Sequence, residues 1–222
     1  MLLQANQRTK LDPSDDTVFY SLPRFVTHVD EGFIDRLTEL YRERLKPNTR
    51  ILDMMSSWVS HLPEEIEFAS VEGHGMNEEE LAKNSRLNSY LIQDLNQNPK
   101  LPFEDKQFDA VLNCVSIQYL QYPDAIFYEI HRILKPGGIA IISFSNRMFY
   151  QKAIAAWRDN SESGRVELVK RYFDSVKNAS GIPGFSQTET ISHRSNAPAF
   201  LQMLGMAGGD PFYAVIAYRQ IS

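Results

Sequence analysis

The sequence predicts a doubly wound α/β fold, and three observations carry the prediction. Short apolar runs alternate with amphipathic helical stretches, which is the pattern of a parallel sheet with helices on both faces. The run Ile139-Ala140-Ile141-Ile142-Ser143-Phe144 is apolar almost throughout, as in a strand covered on both sides. Acidic residues close successive runs at Asp53, Glu72 and Asp94. Open α/β sheets bind ligands beyond the carboxyl ends of their strands.

Composition narrows the function class. With 43% apolar and 11% aromatic residues among 222, the chain can bury a substantial core as one domain. Its net charge is −5, with Lys and Arg scattered rather than blocked. That argues against nucleic-acid or acidic-membrane binding and leaves a small-molecule substrate as the expected partner. Cys114 is the single cysteine, so neither an internal disulfide nor a multi-cysteine metal site is expected. No apolar run reaches membrane-spanning length. The start, Met1 to Arg8, lacks a signal-like apolar core. The expectation is a cytoplasmic protein with no membrane span.

The elements follow in order. Residues 1–16 are polar. Residues 17–29 are rich in aromatic side chains and broken by Pro23, which suits a short docked segment better than a long helix. Asp30 can cap a helix whose Phe33, Ile34, Leu37, Leu40, Tyr41 and Leu45 recur at helical spacing. Lys46-Pro47-Asn48 ends it. Strands are expected at 51–54, at 66–71 closing on Glu72, at 89–92, at 108–114 and at 139–144. Gly73-His74-Gly75-Met76-Asn77 reads as a turn, with a short helix from 78 to 83. A helix over 125–134 is stopped by Lys135-Pro136-Gly137-Gly138. Two helical stretches surround Ser161-Glu162-Ser163-Gly164. Residues 178–190 read as a loop, 197–204 as a helix and 212–218 as a last strand. The expected division is a cap over 1–49 and a single globular unit over 50–222.

The first strand, Ile51-Leu52, meets Asp53 and then a loop, Met54-Met55-Ser56-Ser57-Trp58-Val59. Glycines at such a turn let backbone approach a nucleotide; here Met55, Ser57 and Val59 stand instead. Glu72 follows Asp53 by about the 20 residues expected of a ribose-binding acid. Asp94 can accept from an adenine amino group. The plainer alternative is that such acids cap helices or face solvent. Trp58 either fills part of the crevice or forms its wall. A nicotinamide dehydrogenase would need a Gly-x-Gly-x-x-Gly turn, which is absent.

Asp94-Leu95, Leu101-Pro102-Phe103-Glu104-Asp105-Lys106-Gln107-Phe108-Asp109 and Glu129-Ile130-His131-Arg132-Ile133-Leu134-Lys135-Pro136-Gly137-Gly138 together resemble class I S-adenosylmethionine-dependent methyltransferases. The nearest variety is type 11, similar to the ubiquinone/menaquinone-biosynthesis group. The resemblance spans residues 50–145, with a glycine-poor first motif as its departure. It implies a Rossmann-like, seven-stranded, mostly parallel sheet with an antiparallel last strand, and S-adenosylmethionine as cofactor. By position, Asp53, Ser56 and Ser57 would meet the methionine part, Glu72 the ribose, and Gly73 and His74 the adenine flank. Asp94 and the Leu95 amide would bind the adenine edge. Asn113, Cys114 and Val115 would line the methionine end. Gln118 and Tyr119 would face the substrate, with Tyr20 and Arg24 folded over the site and Arg147 on the acceptor wall. No residue stands out as a catalytic base, and no metal is implied. The alternative is a non-catalytic relative that lost the glycine loop and binds another ligand or partner.

Overall fold

The computed structural model describes residues 1–194 and 209–221. The expected helix over 197–204 lies outside them. A 3-10 turn (Ala5–Arg8) and the single-turn α1 (Asp16–Phe19) precede α2 (Glu31–Arg44) and β1 (Arg50–Met54). Then come β2 (Ser70–Gly75), α3 (Glu78–Lys83), β3 (Ser89–Ile92) and β4 (Phe108–Cys114). A 3-10 turn (Ile117–Tyr119) leads to α4 (Pro123–Ile133) and β5 (Leu134–Phe144). The single-turn α5 (Ala155–Arg158), α6 (Glu162–Asp174), β6 (Glu189–His193) and β7 (Phe212–Tyr218) complete the chain.

One seven-stranded sheet has the order β3-β2-β1-β4-β5-β7-β6. Strands β1 to β5 pair in parallel, and β7 runs antiparallel to both β5 and β6. The order reverses beside β1, so β1 and β4 flank the topological switch point where such sheets bind ligands. This is the expected methyltransferase sheet. No helix among the described residues is long and apolar enough to cross a membrane.

Each face is covered. Helix α2 is capped by Asp30, whose side chain accepts from the Phe33 amide, and buries Phe33, Leu37, Leu40 and Tyr41 with Ile51, Val71 and Ile141. Phe33 and Leu37 are fully buried, each removing about 2 kcal/mol of apolar side chain from water. On the other face α4 and α6 bury Ile126, Phe127, Ile130, Val169 and Phe173 with Leu52, Val111 and Ile142.

Three boundaries differ from the sequence reading. Strand β2 starts at Ser70 rather than 66 and runs through Gly73-His74-Gly75, so that segment is strand, not turn. The glycines serve close approach. A Cβ on Gly73 would sit 2.4 Å from Leu87, and one on Gly75 would sit 2.7 Å from the Ser56 carbonyl. Strand β5 begins at Leu134, with Gly137 at φ +78 and a register shift opposite Phe108/Ala110. Starting at the end of the expected loop over 178–190 and running beyond it, Glu189–His193 pairs with β7 as an edge strand.

Candidate cofactor and substrate site

A cavity of about 320 Å³ lies at the carboxyl ends of β1, β2 and β4. The segment after β3 and two capping segments, residues 16–28 and 147–149, complete it. Each wall follows from a different part of the chain.

The first wall is the loop after β1. Asp53 is buried, and its Oδ2 accepts from Ser56 Oγ at 2.5 Å and Ser60 Oγ at 2.6 Å. Burial pushes the carboxyl up to about 6, against the pull of those two hydroxyls. Met55 takes the left-handed conformation, φ +57, so the turn forms without glycine. Its amide donates to Nδ1 of His74 at 3.2 Å, and the Ser56 amide donates to the His74 carbonyl at 2.7 Å. Burial lowers His74 to about 4, so it is neutral at pH 7. Asn84 Nδ2 ties the loop again, at 3.0 Å from the Ser57 carbonyl and 2.8 Å from Ser60 Oγ. Trp58 is not part of the cavity wall. Its Nε1 donates to the Val26 carbonyl at 3.1 Å, and its ring meets Phe25 edge-on. The indole therefore fastens the cap segment and leaves the crevice open.

The second wall follows β3 and β4. Asp94 Oδ1 accepts from the Asn96 amide at 2.8 Å. Among the described residues, Asp94 Oδ2 has no hydrogen-bond donor and the Leu95 amide has no acceptor. Cys114 lines the cavity as a neutral thiol, since burial pushes it up to about 12. Val115 is held at φ +49, a costly conformation for a β-branched residue. Ser116 Oγ is buried without a partner.

The cap closes the mouth. Lys152, fully buried, places Nζ 2.8 Å from the Ser14 carbonyl, 3.1 Å from Asp12 and 3.3 Å from Asp16. Arg24 lies over three rings, with Cζ 4.6 Å from Phe19, 5.4 Å from Phe149 and 5.8 Å from Tyr20. Its Nη2 donates to the Phe19 carbonyl at 2.8 Å. Phe149 also stacks on Tyr119 and meets His28 edge-on. Burial lowers His28, which leaves it neutral at pH 7. Four left-handed non-glycine residues line this one cavity: His28, Met55, His61 and Val115. Backbone strain of this kind concentrates at binding sites.

Most of the residues singled out from sequence meet here. Asp53, Ser56, Ser57 and His74 line the first wall; Asp94, Leu95, Cys114 and Val115 line the second; Tyr20, Arg24, Tyr119 and Arg147 line the mouth. Arg147 is tied to Asp210 at 2.7 Å. Four do not line the cavity. Glu72 is the third residue of β2, not its end. It pairs with Arg50 at 2.8 Å, at the opposite end of β1 from the loop. Gly73 is packed under Leu87. Asn113 is fully buried and donates to the Met54 carbonyl, and Gln118 is buried and donates to the Val115 carbonyl. Sequence reasoning missed Asp16, His28 and Glu80, all of which line the cavity. For Glu80 a signal existed: Asn77-x-x-Glu80 opens α3, and Asn77 Oδ1 accepts from the Glu80 amide. That spacing reads as helix capping.

Comparisons with known proteins agree with this geometry. Residues 61–142 match the family described as methyltransferase domain (Methyltransf_11). The match starts just beyond the glycine-poor loop. The chain is 23% identical over 167 residues to the biotin biosynthesis bifunctional protein BioHC of Teredinibacter turnerae, covering 74% of this chain and 26% of that protein. It is 30% identical over 109 residues to sterol 24-C-methyltransferase erg6 of Schizosaccharomyces pombe, covering 45% of this chain and 28% of the relative. The matched stretches thus span about a quarter of those relatives. Among solved structures, Haemonchus contortus phosphoethanolamine N-methyltransferase 2 in complex with S-adenosyl-L-methionine superimposes with TM-score 0.52 at 20% identity, covering 84% of this chain and 52% of that one. The [4+2]-cyclase SpnF superimposes with TM-score 0.55 at 17% identity, covering 85% of this chain and 81% of that one. Residues 61–142 thus carry a methyltransferase-domain match beyond a divergent first loop, and the sheet order is that of the S-adenosylmethionine-dependent methyltransferase fold.

Proposed function

We propose that this chain binds S-adenosylmethionine in the cavity and transfers its methyl group to a small-molecule acceptor. One observation carries the reading. Beyond β3, Asp94 Oδ2 and the Leu95 amide offer one acceptor and one donor side by side, neither engaged among the described residues. That pair matches the amino group and ring nitrogen on one edge of adenine. Buried Ser116 Oγ, also without a partner, supports a polar ligand at the same wall.

The cofactor supplies an electrophilic methyl group on a sulfonium. The protein's part is to orient the acceptor and exclude water. Tyr20, Arg24, Tyr119 and Phe149 form the acceptor side, with Arg147 at its rim. His28, neutral and facing the cavity, can take a proton from an acceptor O–H or N–H.

A second reading has its own observation. Asp53 Oδ2 is taken up by Ser56 and Ser60, and Gly75 leaves no side chain at the end of β2. A chain that binds a different ligand, without methyl transfer, would tolerate both. The SpnF likeness places a protein named as a [4+2]-cyclase on this same fold. Calorimetric titration with S-adenosylmethionine separates the readings. Methyl transfer requires binding that Asp94→Ala weakens by about tenfold or more. Absence of heat at millimolar ligand favours the second reading.

A further inference from the structure

We propose that Glu80, on the first turn of α3, is the carboxylate that receives the ribose diol in this cavity; this rests on the cofactor reading above. Strand β2 ends in Gly75, where no side chain can reach a ligand, and a Cβ there would collide with the Ser56 carbonyl. The loop after β1 has taken that space. Glu72 lies three residues earlier, about 10 Å back along the strand, and is committed to Arg50. The carboxylate that does reach the cavity beside the β2 end is Glu80.

Its hydrogen bonds leave room for two more. Oε1 accepts from the Arg24 amide at 2.7 Å, and Oε2 accepts from Ser57 Oγ at 2.6 Å. An ionised carboxylate has about four acceptor positions, two on each oxygen. One position therefore stays open on each oxygen. Two vicinal hydroxyls, each donating once, fill them. The two departures from a glycine-rich site are thus coupled. Ser57 stands where a glycine was expected, and its hydroxyl aims the carboxylate that stands in for the missing strand-end acid. Because Glu80 also holds the Arg24 amide, a diol at Glu80 ties α3, the β1 loop and the cap together.

Three calorimetric titrations of the full chain test this. The probes are S-adenosylhomocysteine, adenosine, and the dideoxy form of adenosine that lacks both ribose hydroxyls. Glu80→Gln is expected to weaken the first two by about tenfold or more. It should leave the dideoxy probe, measured by competition, within about twofold of wild type. Glu72→Gln should leave all three within about twofold. If Glu80→Gln weakens the dideoxy probe as much as adenosine, Glu80 only supports the wall and the assignment is overturned. If wild type binds S-adenosylhomocysteine and Glu80→Gln binds it equally well, the assignment falls while the cofactor reading stands. If wild type binds neither nucleoside at millimolar concentration, the cofactor reading falls and takes the assignment with it.

Discussion

The two walls of the cavity are held in different ways. After β1, the loop's side chains are tied to one another. Asp53 has Ser56 and Ser60, Ser57 has Glu80, and Asn84 holds two further atoms. After β3 and β4, three polar groups have no partner among the described residues: Asp94 Oδ2, the Leu95 amide and Ser116 Oγ. Where glycine is replaced by side chains, those side chains bond one another, and Asp53 Oδ1, His74 Nε2 and one position on each Glu80 oxygen stay open among the described residues. The second wall holds Asp94 two residues beyond the end of β3, with one carboxylate oxygen unengaged. The matched segment begins at residue 61, on the far side of the β1 loop.

The largest expected effect comes from the cap that leans on both walls. Lys152→Met removes one of the two cations beside buried Asp16, Lys10 being the other, and strips the Ser14 carbonyl of its donor. Breaking one link of such a buried network costs about 3 kcal/mol. Urea unfolding should register that loss, and limited proteolysis should open residues 10–28 first.

The first wall also carries opposed titrations. Asp53 rises from 3.8 to about 6 on folding, so the folded chain holds a proton that the unfolded chain has released. Its contribution to stability therefore falls by about 3 kcal/mol as pH rises through that interval. His74 drops from 6.5 to about 4, so the unfolded chain takes up a proton that the folded chain refuses. Its contribution rises by about 3 kcal/mol across nearly the same interval. The two should largely cancel in wild type. Asp53→Asn should make the chain more acid-labile between about pH 4 and pH 6, and His74→Asn should reverse the slope, both read by urea unfolding against pH.

A smaller effect separates Trp58 from the ligand. Trp58→Ala removes one hydrogen bond to Val26 and an edge contact with Phe25. Thermal unfolding should report a loss of about 1–2 kcal/mol. Affinity for S-adenosylhomocysteine should change no more than about threefold, since the ring is not in the cavity wall. Smallest of all, Glu72→Gln should shift stability by less than about 1 kcal/mol, as its partner Arg50 is partly exposed.

Legibility in the sequence follows the same division. Strands β3 and β4 are readable to the residue because apolar runs end on polar punctuation, Gln93-Asp94 and Ser116. Strand β2 is misread because Gly73 and Gly75 mimic a turn when they are there to admit Leu87 and Ser56. That error carried Glu72 to a strand end it does not occupy. Strand β6, Glu-Thr-Ile-Ser-His, is an exposed polar edge with no apolar run to announce it. Glu80 hides behind a capping pattern, and Lys152 finds its carboxylates more than a hundred positions away, at Asp12 and Asp16. Burial is tertiary information, so a lone lysine between Phe149 and Trp157 does not announce which distant carboxylates it will meet.

The most direct test of the cavity's assignment is amide hydrogen exchange with and without S-adenosylhomocysteine. Binding in the cavity predicts slowed exchange at Leu95 to Gln97 and Val115 to Ser116, together with the cap over residues 16–28 and, more weakly, the loop at Ser57 that is tied to Glu80. Unchanged exchange across Leu95 to Gln97 at saturating ligand, or protection confined to another face, would contradict it.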